Sequence, residues 1–151
     1  MPQSLSAVYV HLVFATKHRA PLLTDAGLRA EMHHYLAGIS NGLECPALAV
    51  GGVADHVHLL ARLGRTQSQA DWVKELKRAS TVWLKTRAPA LADFAWQVGY
   101  GAFSVSASQV GKARRYVAGQ EEHHRQTTFQ DEFRTLLRAH DVAWDERYVW
   151  E

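Results

Sequence analysis

Residues 47–63 read ALAVGGVADHVHLLARL: two apolar runs, Ala47–Val53 and His56–Leu63, split by turn-forming residues between Gly51 and Asp55. That pattern predicts an antiparallel hairpin. Strand alternation puts Val57, Leu59 and Ala61 on one face of the second strand and His56, His58, Leu60 and Arg62 on the other. The imidazoles of His56-Val57-His58 therefore project from the same, less apolar face and can address one ion.

Working outward, Ala7 to Ala15 alternates, with Val8, Val10, Leu12 and Phe14 on one parity and Tyr9, His11 and Val13 on the other, which predicts a half-buried strand. From Thr24, an N-cap residue type, to Asn41-Gly42, the residues Leu28, Met32, Tyr35, Leu36 and Ile39 recur at helical spacing. A second amphipathic helix is predicted from Gln67 to Arg87 on Trp72, Leu76, Ala79 and Trp83, ended by Ala88-Pro89. Phe94 to Ser106 is aromatic and β-branched but broken by Gly99 and Gly101, and reads as a bent or bulged strand pair. Ser108 then opens a helix expected to run through Tyr116 and Gln120 to about Arg125. The order β-α-β-β-α-β-α suits a split β-α-β arrangement, one antiparallel sheet with two helices on one face and the histidines on the open face. Residues 1–128 are expected to form the domain. Residues 129–151, with Phe129, Phe133, Leu136 and Leu137 at helical spacing and a tail ending in Tyr148, Val149 and Trp150, form an extension that docks on it or on a partner subunit.

At 151 residues and 47% hydrophobic composition, one compact core is affordable and no second domain is needed. A net charge of +2 does not by itself announce a polyanionic partner. Its distribution is more informative: Lys74, Lys77, Arg78, Lys85 and Arg87 cluster in one segment and Lys112, Arg114 and Arg115 in another, either to attract phosphate or simply as solvated helix faces. The single cysteine, Cys45, excludes an internal disulfide and reads as a small buried hydrophobe. The N-terminus lacks a secretion pattern and no apolar run approaches the roughly 20 residues of a membrane span, so a cytoplasmic protein is expected.

Four residues carry the chemistry. Tyr116 and Gln120 stand four apart on the predicted helix, one above the other, and with His56 and His58 they read as a metal site with a nucleophile beside it. Each has a blander reading alone: surface histidines, an amphipathic tyrosine. Asp55 reads first as a turn residue, Gly111 as an incidental first-turn glycine, Gly119 as a close approach or a tolerated glycine, and His123 and His124 as exposed or ligand-contacting residues.

Four stretches resemble one family: Val8–Lys17 (VYVHLVFATK), Ala54–Leu60 (ADHVHLL), Trp96–Ser106 (WQVGYGAFSVS) and Tyr116–Arg125 (YVAGQEEHHR). In this order they are similar to the single-tyrosine HUH transposases of insertion sequences of the IS-two-hundred type and their REP-associated relatives. The resemblance implies a ferredoxin-like, RRM-like α+β fold, a homodimer with a Tyr helix lent between subunits, and single-stranded DNA, often hairpin ends, as the partner. It implies Tyr116 as nucleophile, His56, His58 and Gln120 as ligands of Mg2+ or Mn2+, and metal-assisted transesterification through a 5′-phosphotyrosine, with no nucleotide cofactor. When DNA-bound, such a protein would associate with the nucleoid. A phenol with pKa near 10 is a poor nucleophile at neutral pH, which is why a cation is needed. His11, Lys17, Lys74, Lys77, Arg78, Lys112 and Arg115 are candidate DNA contacts. A histidine-triad hydrolase would need a third histidine where Leu60 stands. A domesticated, non-mobile nucleic-acid-binding regulator on the same fold is the remaining alternative.

Overall fold

The computed structural model describes residues 2–151. Four strands, β1 (Tyr9–Ala15), β2 (Ala47–Val53), β3 (His56–Arg62) and β4 (Gly101–Val105), form one sheet in the order β2-β3-β1-β4, with every neighbouring pair antiparallel. Helices α1 (Ala26–Gly42) and α2 (Gln69–Arg87) connect them and pack on one face, giving the expected split β-α-β architecture. The hairpin read from residues 47–63 is present, with Ala54-Asp55 as its two-residue turn.

The helix starts follow local capping. The Asp25 carboxylate, one residue beyond Thr24, accepts from the Leu28 amide at 3.1 Å, and Ser68 accepts from the Asp71 amide at 3.1 Å, so α2 starts just after the predicted Gln67. Val10, Leu12 and Phe14 of β1 and Val57, Leu59 and Ala61 of β3 face these helices and pack with Met32, Leu36, Trp72 and Leu76. Two indole N–H groups in this core are satisfied by buried serines, Trp72 by Ser40 at 3.0 Å and Trp96 by Ser80 at 2.9 Å.

Phe94–Ser106 departs from the expected strand pair: β4 is one strand, and the earlier part contributes a lone bridge between Thr16 and Trp96. Side chains take over the ladder there. Gln97 Oε1 accepts from the Ala15 amide at 2.7 Å, and the Lys77 ammonium donates to the carbonyls of Gln97, Val98 and Gly99 at 2.8, 3.1 and 2.7 Å. These contacts hold the segment in a loop.

The helix expected from Ser108 to Arg125 is also divided. A 3-10 turn at Ala107–Gln109 leads into α3 (Val110–Ala118), and a break at Gly119 separates it from the single turn α4 (Gln120–His123). Glycine is the weakest non-proline helix former, and Gly119 stands at φ −94°, ψ 21°.

The face bearing the histidines is not open. Across the sheet, Val13 lies opposite His58, Ala15 opposite His56 and His11 opposite both Leu60 and Phe103. Helix α5 (Phe129–Ala139), capped by Thr128, lays Phe129, Phe133 and Leu137 on Val13, Ala15 and Phe103, and the tail adds Trp144, Val149 and Trp150. The cause is the apolar stripe of α5 itself, since each fully buried Phe or Leu side chain contributes roughly 1.5–3 kcal/mol. The approach is close: a Cβ on Gly101 would stand 2.5 Å from the Phe133 ring. No helix among the described residues is long and apolar enough to cross a membrane.

Candidate active site

β3 brings His56 and His58 to the middle of the covered face, where both are fully buried. α3 brings Tyr116 over them, its ring centroid 5.8 Å from those of His58 and His11. α4 adds Gln120, whose Nε2 still donates to the Tyr116 carbonyl at 3.1 Å across the Gly119 break. Its Oε1 lies 3.4 Å from His56 Nε2 and 3.0 Å from His124 Nε2. His56, His58, Tyr116 and Gln120 thus meet within one chain.

Two further residues join them. Glu132 of α5 places Oε1 3.0 Å from His58 Nε2, 3.0 Å from His124 Nε2 and 3.5 Å from His56 Nε2. Its Oε2 accepts the hydrogen bond of the Tyr116 hydroxyl and lies 3.2 Å from His123 Nε2. One donor atom from each of His56, His58, His124 and Glu132 falls within 4.8 Å of all the others, a group that could hold a metal ion. The spacing fits that use, because neighbouring ligands of a six-coordinate ion at about 2.1 Å lie roughly 3 Å apart.

Outer contacts orient the imidazoles. His56 Nδ1 is 2.7 Å from Asp55 Oδ1, and Asp55 Oδ2 is 4.0 Å from Arg19, so Asp55 supports the site as well as making the turn. With Nδ1–H donating to Asp55, His56 would turn the lone pair of Nε2 inward to a bound ion. His58 Nδ1 lies 2.7 Å from His11 Nε2, which fixes the His58 ring in the same way. Burial, reinforced by the neighbouring imidazoles, lowers His11 to about 3 and His58 to about 4, so both are neutral. For His56 burial pulls down, but the bonds to Asp55 and Glu132 outweigh it and leave the group above its ordinary value. Burial also opposes ionisation of Glu132, yet its bonds to His124, His56 and His58 hold the carboxyl far below the usual range. Burial and the Glu132 carboxylate push the Tyr116 phenol well above its ordinary value.

The remaining sequence candidates scatter. His11 is 5% exposed and committed to His58. Lys17 is exposed just after β1, and Lys112 and Arg115 are exposed on α3. Lys74, Lys77 and Arg78 lie on α2, across the sheet from the histidines; Lys77 is tied to the 97–99 carbonyls and Arg78 to Glu75. Ser104, Ser106, Lys112, Tyr116 and His140 line a groove that reaches the phenol.

Sequence reading passed over Glu132 and gave His124 no place at the centre. A signal was present. Glu132 sits three residues after Phe129 and one before Phe133, on the apolar stripe of α5, where a carboxylate needs buried partners.

Packing of α3 on the sheet depends on Gly51. A Cβ there would stand 2.0 Å from the Val117 carbonyl oxygen, one residue beyond Tyr116. Gly51→Ala is therefore expected to displace α3 at a cost of about 1–3 kcal/mol, read as a lower thermal midpoint; an unchanged midpoint would mean that α3 does not seat on this glycine.

Comparison with known proteins agrees with this architecture. The family model described as Transposase IS200 like matches residues 4–120. A structure described as a candidate transposase of Deinococcus radiodurans shares the fold at 24% identity and TM-score 0.61, over 78% of this chain and 95% of that one. A REP-associated tyrosine transposase bound to a REP hairpin shares it at 14% identity and TM-score 0.60, over 96% and 90% of the two chains. Among curated proteins no match is found. The match over residues 4–120, on a chain whose sheet carries His56 and His58 beneath Tyr116 of α3, places this protein in the IS200-like transposase family.

Proposed function

We propose that the chain cleaves and rejoins single-stranded DNA at insertion-sequence ends, with Tyr116 as the nucleophile and His56, His58 and Gln120 as ligands of Mg2+ or Mn2+. One observation carries the reading: the Tyr116 hydroxyl is bonded to a carboxylate that itself lies against the imidazole cluster. Hairpin ends are the natural substrate form, by analogy with the hairpin-bound relative.

The Tyr116 oxygen forms a bond to a backbone phosphorus as the bond to the 3′-oxygen breaks. Glu132, which already accepts the hydroxyl's hydrogen bond, orients the oxygen for attack; the phenolic proton passes to solvent, and the departing oxygen takes up a proton from solvent as a free 3′-hydroxyl. The product is a 5′-phosphotyrosine, and attack by another strand's 3′-hydroxyl reverses the chemistry without ATP. A divalent cation held there would polarise the phosphoryl oxygens and stabilise charge in the transition state. His58 is neutral, and His56 would become so as a bound ion displaces the proton on Nε2; with the Gln120 carbonyl oxygen, these three would leave the full charge of the ion available to phosphate. Asp55 and His11 hold the imidazole rings in place. Because one chain supplies both the tyrosine and the imidazoles, catalysis in cis is the simplest reading, and a homodimer would supply a second nucleophile for the second end rather than complete the first site.

Incubation with labelled single-stranded DNA from the gene's flanks, with Mg2+ or Mn2+, tests the proposal. A covalent protein–DNA adduct is expected. Binding without an adduct would favour a DNA-binding regulator, a reading that draws its support from the closure of α5 over His56 and His58.

A further inference from the structure

We propose that Glu132 and His124 belong to the cation site itself, and that Glu132 couples the ion to the nucleophile. The inference rests on the cation-assisted reading above and extends it past residue 120, where the family match ends.

Five donor atoms converge: Nε2 of His56, His58 and His124, Oε1 of Gln120 and Oε1 of Glu132. Their contacts are 3.0 Å for Glu132 with His58 and with His124, 3.0 Å for Gln120 with His124, 3.4 Å for Gln120 with His56 and 3.5 Å for Glu132 with His56. These separations are those of adjacent ligands in a six-coordinate shell, about 3 Å, and five donors leave one position for a phosphate oxygen. Mutual hydrogen bonding accounts for His58 and His124 on Glu132 Oε1 but leaves His56 Nε2 beside that oxygen at 3.5 Å with no well-formed hydrogen bond to it.

Glu132 is 3% exposed and its placement is rigid. It rides on α5 between Phe129 and Phe133, which anchor the helix to the sheet. With Oε1 among the imidazoles and Oε2 on the Tyr116 hydroxyl, one carboxylate spans cation and nucleophile. Two consequences follow from the donor set. The carboxylate lowers the net charge of the loaded site from that of an all-neutral cage, and three imidazoles favour Mn2+ over the oxygen-preferring Mg2+. His124, held at Nδ1 by the Thr127 carbonyl at 3.0 Å, is oriented in the manner of a ligand histidine.

The test is Mn2+ binding to the full chain without DNA, by calorimetry and by electron spin-echo detection of nitrogens coupled to Mn2+. Wild type should bind Mn2+ more tightly than Mg2+ and show three coupled imidazoles. His124→Ala should show two, and Glu132→Gln, close in shape, should weaken Mn2+ binding by at least about tenfold, whereas exposed Glu122→Gln should leave it unchanged. Circular dichroism of the metal-free variants establishes that they are folded, and Glu132→Asp provides a second folded variant in which a carboxylate is kept but shortened, expected to bind between wild type and Glu132→Gln. Unchanged Mn2+ affinity in Glu132→Gln, or two coupled imidazoles in wild type, would overturn the proposal. Wild type that binds Mn2+ as described but forms no DNA adduct would sink the transposase chemistry and leave this site assignment standing; wild type that binds no Mn2+ sinks both.

Discussion

Tyr116→Phe is expected to abolish the covalent adduct with single-stranded DNA while leaving hairpin binding nearly intact. Phenylalanine keeps the ring that packs against His11, His58 and His123 and removes only the oxygen that would attack phosphorus. The fold should tolerate the change: one hydrogen bond to Glu132 is lost, worth about 1 kcal/mol, while that carboxylate keeps its imidazole partners. Denaturing gels with end-labelled hairpin DNA measure the adduct, and gel shift measures binding. An adduct that persists in Tyr116→Phe would show the nucleophile to be another residue.

His56→Ala should reduce divalent-cation affinity and cleavage together, by more than about a hundredfold. The imidazole is fully buried, faces Gln120 and Glu132 with Nε2, and is oriented by Asp55 through Nδ1. Removing it takes away a donor atom and leaves a cavity beside Phe129, whose ring lies 4.5 Å away. Calorimetry with Mn2+ and adduct formation at saturating metal separate the two effects. Cleavage that survives loss of cation binding would contradict metal assistance.

The two periodicities that can be read in one dimension account for what was legible. Alternation in Ala7–Ala15 and Ala47–Leu63, together with the helical stripes before and after them, is enough to give the sheet, its two covering helices and the common direction of His56 and His58. The four-residue step from Tyr116 to Gln120 held despite the glycine between them, because Gln120 bonds back to the Tyr116 carbonyl. Contacts between distant segments were not legible. The Lys77 ammonium replaces a strand ladder at residues 97–99, so a segment of strand composition became a loop. The cover over the histidines comes from α5, whose stripe was visible while its destination was not. Glu132 is the sharpest instance: a single acid at an apolar position marks a need for buried partners, but only the fold shows that those partners are the imidazoles and the phenol.

The central claim is that one chain holds both the cation-binding imidazoles and the attacking phenol. Mixing Tyr116→Phe with His58→Ala tests it most directly, because the first lacks the nucleophile and the second lacks half of the imidazole pair. With wild type forming the adduct in parallel, a site built in cis predicts that the mixture remains as inactive as either variant alone. Recovery of the protein–DNA adduct on mixing would contradict it, since only a tyrosine reaching across to another chain's imidazoles could restore the reaction.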